Sequence, residues 1–185
     1  PLSSKLVIGV AGMPGAGKSI VSKVASELGC KVVIMGDVVR EEAKRMGLEP
    51  SPANIGRVML ELREREGAQV VANRCIPSIE TSETKGVIVD GLRSLEEVEV
   101  FRLKYPGFKI LCVHSSPETR FRRLFGRGRS DDPRSWNVFV ERDRRELEVG
   151  IGSVIALADL MIINEGTKKQ LEDRVRHLIK RAIFL

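Results

Sequence analysis

The stretch Leu6-Val7-Ile8-Gly9-Val10-Ala11-Gly12-Met13-Pro14-Gly15-Ala16-Gly17-Lys18-Ser19-Ile20 decides the fold. An apolar run of strand length leads into Gly12–Ser19, which fits the spacing G-x-x-x-x-G-K-[ST], and an amphipathic helical pattern opens at Ser19. Each part has a physical task. The glycines let the backbone wrap closely with amides pointing inward, and the helix N-terminus adds partial positive charge. Lys18 is placed to meet the β- and γ-phosphates of a nucleoside triphosphate, and the Ser19 hydroxyl to bind Mg²⁺. Gly12, Met13, Pro14, Gly15, Ala16, Gly17, Lys18, Ser19 and Ile20 are therefore candidate nucleotide contacts, with ATP and Mg²⁺ as the expected ligands.

Working outward, short β-branched runs at 6–10, 32–35, 87–89, 110–113 and 160–163 alternate with helical patterns at 19–28, 38–46, 54–72, 95–104, 117–125, 134–148 and 167–183. Continuous rather than alternating apolar runs suit strands buried on both faces. The expectation is a single three-layer α/β domain, a five-stranded parallel sheet joined by right-handed crossovers. Two segments interrupt that rhythm. A largely helical insert at about 38–80 is too long for one crossover, and the Gly- and Arg-rich stretch at about 126–134 reads as a mobile loop. Asp90 ends the third run, at the crevice beside the loop after strand one, where a carboxylate is suited to organise Mg²⁺.

The 185 residues match about one domain, at 42% apolar and 30% charged. The longest weakly charged stretch, 150–163, contains Asp159 and is too short for a membrane span. With no signal-peptide pattern at the start, the expected compartment is the cytoplasm. Cys30, Cys75 and Cys112 lack the spacing of a disulfide framework or a zinc site, so buried reduced thiols are expected. The net charge is +6, and nine arginines fall between 120 and 145 against four acids. Arg rather than Lys, so clustered, suits phosphate recognition. Nucleic acid is allowed by this charge but not favoured, because one Trp, one Tyr and six Phe offer no obvious base-stacking platform.

Four further runs carry a resemblance. Gly36-Asp37-Val38-Val39-Arg40 follows strand two, Asp90-Gly91-Leu92-Arg93 follows strand three, Arg123-Leu124-Phe125-Gly126-Arg127 precedes the loop, and Gly128-Arg129-Ser130-Asp131-Asp132 forms it. In type and order these resemble the adenylate kinase family of P-loop phosphotransferases. The segment from Ala158 through Asn164 to Thr167 resembles the dephospho-coenzyme A kinase branch, and the whole chain is similar to adenylate-kinase-related proteins of archaea. The strand-three run is one residue shorter than the family's and lacks its Pro. The family's next lid arginine has no counterpart at the same spacing, which leaves Arg142 and Arg145 as candidates.

The resemblance implies an acceptor held by Arg40 and Arg93, with Asp37 orienting it or serving as a base toward a hydroxyl, and Asp90 nearby. It implies a lid whose Arg127 and Arg129 close over the transferring group, Arg123 stacked on the adenine, and Asn164 beside the nucleotide. The expected activity is γ-phosphoryl transfer from ATP to a small phosphorylated acceptor such as a nucleoside monophosphate. The second reading is a nucleotide-dependent binding module or weak ATPase acting with RNA or a protein partner. In the insert, Arg57 and Arg63 face either an acceptor phosphate or surface partners among Glu61, Glu64 and Glu66. Trp136 is expected to anchor the loop, and Glu41 and Glu42 to sit in a helix first turn.

Overall fold

A computed structural model describes residues 3–49, 51–129 and 132–184, together with the backbone but not the side chain of Pro52. The chain runs β1 (Leu6–Ala11), α1 (Lys18–Glu27), β2 (Lys31–Ile34), α2 (Met35–Arg45), α3 (Pro52–Glu66), α4 (Val70–Glu80), β3 (Gly86–Asp90), α5 (Leu95–Lys104) and β4 (Lys109–His114). It continues through α6 (Pro117–Arg127), α7 (Trp136–Val149), α8 (Ile151–Ala156), β5 (Leu160–Ile163) and α9 (Lys168–Ile179), and closes in a π-helical turn at Lys180–Phe184. The five strands form one parallel sheet in the order β2-β3-β1-β4-β5.

Alternate residues of each strand go to opposite faces, and both faces are covered. Val7, Val33, Val87, Val89 and Ile110 join a core beneath α2 to α5 and α8, whereas Ile8, Val10, Ile88, Leu111, Val113 and Ile162 pack on α1 and α9. Double coverage is why these strands read as unbroken apolar runs. The register pairs Val10 with Asp90, so the chain leaves β1 beside the carboxyl end of β3. Gly91 and Leu92 then donate backbone bonds to the Val10 carbonyl at 3.1 and 3.0 Å. The site is thereby set at the crevice where the strand order reverses.

Several expected boundaries are corrected. Met35, read as the end of strand two, opens α2 because its side chain is drawn into the core, leaving Gly36 and Asp37 in the helix first turn. The helix expected at 54–72 is two helices. Ser51 caps α3 by accepting from the Asn54 amide, and Gly67, at φ 94°, ends it with a conformation that other residues rarely adopt. Gly150, at φ 116°, ends α7, and the short apolar α8 follows where no helix was expected. A Thr167–Gln170 capping box opens α9, which ends at Ile179 rather than 183.

Glu42 also departs from expectation. It lies at the start of the last turn of α2, is buried, and gathers three arginines: Arg45 at 2.5 Å, Arg74 at 3.0 Å and Arg65 at 3.4 Å. One carboxylate thus ties α2, α3 and α4 together. Hydrogen bonds from Arg45 and then Arg74 hold its pKa down, from 4.5 to about 2. A depressed carboxylate pKa stabilises the fold above the ordinary value and loses that contribution as pH falls toward the depressed one. Glu42→Gln should therefore be less stable than the parent near neutrality, with the gap narrowing between about pH 4.5 and 2. Chemical unfolding of both proteins across that range checks it; a gap independent of pH would show that the arginines add no charge-dependent stability.

The three cysteines are buried and free. Among the described residues no helix is long and apolar enough to cross a membrane.

Candidate functional site

The glycine loop is held from behind. Arg120 donates to the Pro14 carbonyl at 3.2 Å, Arg123 to that of Gly15 at 3.4 Å, and the Asn164 amide to that of Ala16 at 2.8 Å. The N–H and C=O of one trans peptide point opposite ways. Anchoring the Pro14 and Ala16 carbonyls on one side therefore turns the Gly15 and Gly17 amides to the other, toward a cavity that both residues line. Three glycines of the loop are sterically compelled: a Cβ on Gly15, at φ 82°, would stand 2.9 Å from the Arg120 carbonyl oxygen. A Cβ on Gly12 would stand 2.5 Å from the Val113 carbonyl oxygen, and one on Gly17, at φ 111°, 2.6 Å from the Asn164 side-chain nitrogen.

That cavity, of about 440 Å³, lies at the carboxyl edge of the sheet. It is lined by Gly12, Pro14, Gly15, Gly17, Lys18 and Ser19 of the loop, by Asp90 and Arg93 at the end of β3 and just after it, by Arg123, Arg127, Arg129 and Arg142 from α6 to α7, and by Arg40 of α2. The Lys18 ammonium donates to the Gly12 carbonyl at 2.6 Å, and burial pushes its pKa below the ordinary 10.5, with Asp90 opposing. Asp90 accepts from Ser22 at 2.7 Å; burial raises its pKa, opposed by Ser22 and Lys18. A cavity ringed by so many cations is built for anionic oxygen.

A second cavity of about 200 Å³ opens beyond Arg40, Asp90 and Arg93, which line both. Its apolar wall includes Met35, Val39, Ile55, Met59 and Val71, and Arg63 and Glu97 stand at its end. Arg63 does not pair with its helix neighbours: it bonds to buried Glu97 at 3.0 Å, a contact across 34 residues. Arg57 is exposed and stands 3.7 Å from Glu61, the surface arrangement.

Not every candidate converges on the cleft. Asp37 is half exposed in the first turn of α2, outside both cavities, and bonds to Arg40 at 2.5 Å. Met13, Ala16 and Ile20 do not line the main cavity. Asn164 lines a separate space of about 280 Å³ next to α9 and meets the loop through the Ala16 carbonyl. Arg123 reaches the cleft while bonding to Ser115 at 2.8 Å and to the Asn164 carbonyl at 2.9 Å.

The segment expected to be the lid loop begins later than expected, because α6 runs on to Arg127 before Gly128 caps it in the left-handed conformation, and α7 opens at Trp136 rather than 134. Ser130 and Asp131 lie outside the described residues. Asp132 is fully covered and accepts from Arg127 at 2.9 and 2.5 Å and from the Arg129 amide at 2.9 Å, with Arg142 3.8 Å away. Of the two lid candidates Arg142 lines the cavity, whereas Arg145 is exposed on α7.

Sequence reasoning missed Ser22, Asp143 and Glu146. Glu146 lines the cavity and stands 3.5 Å from Arg93. It follows Arg142 by four residues on α7, and helical spacing was a usable signal for placing the two on one face. Asp143 grips Arg120 and has no comparable local mark.

Fold and phosphate loop together define a P-loop kinase-like protein. The AAA domain family matches residues 11–139. A UPF0200 protein of Hyperthermus butylicus is 48% identical over 177 residues, covering 96% of this chain and 95% of that one, and the chain belongs to the UPF0200 family. Among solved structures, shikimate kinase from Bacteroides thetaiotaomicron superposes with a TM-score of 0.66 at 18% identity, covering 97% of this chain and 99% of that one. A gluconokinase from Sinorhizobium meliloti gives 0.55 at 15% identity, covering 97% and 95%. At those identities the likeness is one of fold.

Proposed function

We propose that this protein transfers the γ-phosphoryl of ATP to a small phosphorylated acceptor of nucleotide size. The observation that carries the reading is the pair of joined cavities. One is bounded by the glycine loop, the other is partly apolar, and Arg40, Asp90 and Arg93 stand where they meet. Such transfer asks little covalent chemistry of a protein; it needs alignment of donor and acceptor, neutralisation of spreading charge and exclusion of water.

In this reading the loop amides and Lys18 hold the donor phosphates. Arg127, Arg129 and Arg142 reach the transferring group from α6, the segment after it and α7, and Arg123 borders the nucleotide. Ser19 and Asp90 offer a hydroxyl and a carboxylate oxygen within the same cavity, a donor set that suits a hard divalent cation. They are the residues that would hold Mg²⁺, which when bound supplies further neutralisation of phosphate charge. Arg40 and Arg93 receive the acceptor's phosphate. Asp37 acts through Arg40, fixing its guanidinium, and its place outside the cavities gives no support to a role as base.

Transfer of label from γ-labelled ATP to nucleoside monophosphates, nucleosides, dephospho-coenzyme A and RNA 5′ ends tests the proposal. One phosphorylated small acceptor should stand out. Hydrolysis that no acceptor accelerates would favour the weak-ATPase reading instead. Arg93→Ala should raise the acceptor KM about tenfold or more, the effect of losing a charge-assisted contact, with the ATP KM nearly unchanged. Arg40→Lys should not restore full affinity where the fork is used bidentately. Steady-state kinetics in both substrates measures each effect; an unchanged acceptor KM would remove the phosphate-clamp role.

A further inference from the structure

The outer face of α6 and α7 gathers aromatic rings that composition alone did not reveal as a platform. Of the chain's eight aromatic residues, Phe121, Phe125, Trp136 and Phe139 meet in one cluster. Phe121 is its centre, with ring centroids 5.9 Å from Phe125, 5.4 Å from Trp136 and 5.5 Å from Phe139. Phe139 is buried and backed by the Arg120 guanidinium at 5.0 Å. The two flanking rings are not covered: Phe125 is 51% exposed and Trp136 45%. Two large, rigidly backed aromatic surfaces thus face solvent on either side of a single buttressing ring.

Their surroundings are cationic. Arg122 lies between Phe121 and Phe125 on α6, and Arg134 two residues before Trp136; both are exposed. Among the described residues no carboxylate comes within ion-pair distance of either, whereas Arg120 and Arg127 have theirs in Asp143 and Asp132. Arg134 donates to the Gly128 carbonyl at 3.3 Å. Helical spacing separates this face from the cleft: Arg123 and Arg127, four apart, line the cavity, while Phe121, Arg122 and Phe125 do not.

We infer that this face binds single-stranded nucleic acid, with bases stacked on Phe125 and Trp136 and the backbone phosphates on Arg122 and Arg134. Exposed aromatic rings within a cationic surface are what unpaired bases require: every base has a π-face, and its phosphate follows within reach of a neighbouring arginine. A duplex hides its base faces and cannot use the rings. An acidic protein segment would satisfy the arginines but leave the aromatic faces without a matched partner. Because the face lies on the outside of α6, a strand bound there leaves the phosphate cleft open, and the inference stands or falls separately from the proposed transfer activity.

Trp136 is the chain's single tryptophan, so its fluorescence reports on this face alone. Oligodeoxythymidylate of about twelve nucleotides should quench it in low salt, and a non-hydrolysable ATP analogue should not reverse the quenching. Phe125→Ser should weaken binding by about five- to a hundredfold. The double variant Arg122→Gln, Arg134→Gln should lower the slope of log affinity against log salt by about 1.4, the share of two single-strand phosphate contacts. Neither variant touches the cleft, so both should keep parental ATP binding, which also shows that they fold. Absence of quenching, equal binding of a duplex or of polyglutamate, reversal by the ATP analogue, or unchanged affinity in both variants would each overturn the inference.

Discussion

Lys18→Ala is expected to lower turnover by about 10²- to 10³-fold, the loss of about 2.7–4 kcal/mol of transition-state stabilisation seen when a single preorganised electrostatic donor is removed. Among the described residues the ammonium's hydrogen-bond partners are carbonyls of its own loop, at 2.6 Å for Gly12 and 3.4 Å for Met13. Deleting it therefore breaks no ion pair that the fold relies on. Burial already presses its pKa below the ordinary value, and an arriving phosphate would relieve that strain by supplying the missing counter-charge. Thermal unfolding in the absence of nucleotide should consequently stay near that of the parent, while the stabilisation added by ATP largely disappears. A variant that keeps both turnover and nucleotide-induced stabilisation would dismiss the phosphate loop as the donor site.

The second large effect is structural. Arg120 and Asp143 join α6 to α7 through two bonds of 2.9 and 2.6 Å, with side-chain exposures of only 5% and 16%. Asp143→Ala leaves the guanidinium buried with carbonyl partners but no counter-charge, and breaking a pair in this way costs about 3–5 kcal/mol. For a chain of this length that lowers the melting temperature by on the order of 10 °C. Replacing both partners together, Arg120→Met with Asp143→Leu, should recover much of that stability, because no lone charge is then stranded. Activity should not recover with it, since Arg120 also holds the Pro14 carbonyl of the loop. Calorimetry on the single and double variants, with turnover measured beside it, separates the two roles. A single variant that melts within a degree or two of the parent would mean that the pair is energetically a surface contact.

What the sequence made legible follows from where the information is local. The bounds of β5 and α5 match the runs read at 160–163 and 95–104, because an apolar strand and a Ser94-capped helix are each specified by adjacent residues. Met35 was misassigned because it continues the apolar run Val32-Val33-Ile34, and its helical state is decided by burial against the core rather than by its neighbours. The reading of 54–72 as one helix passed over Gly67, although a glycine after a run of charged helical residues is a common stop. The six residues of α8 are too few to show a helical period.

In the cleft, Lys18, Ser19 and Asp90 were visible because each sits at a strand end or in a spaced motif. The partners that shape them were not. Ser22 reaches Asp90 across 68 residues, Arg63 reaches Glu97 across 34, and Asp143 reaches Arg120 across 23. The aromatic cluster is the same kind of omission: counting rings gives their number, and only the approach of α6 to α7 brings four of them together.

The bracing of the glycine loop also sets an order of events at the ribosome. A nascent chain that has emerged through β3 already carries the whole loop, yet not the side chains that hold its Pro14, Gly15 and Ala16 carbonyls, because Arg120, Arg123 and Asn164 have still to emerge. Even the central strand lacks one of its two neighbours until β4 appears. The loop is thus made well before the residues that give it its shape, and a chain cut short before Asn164 would carry the full signature residues of the site without the arrangement that gives them meaning.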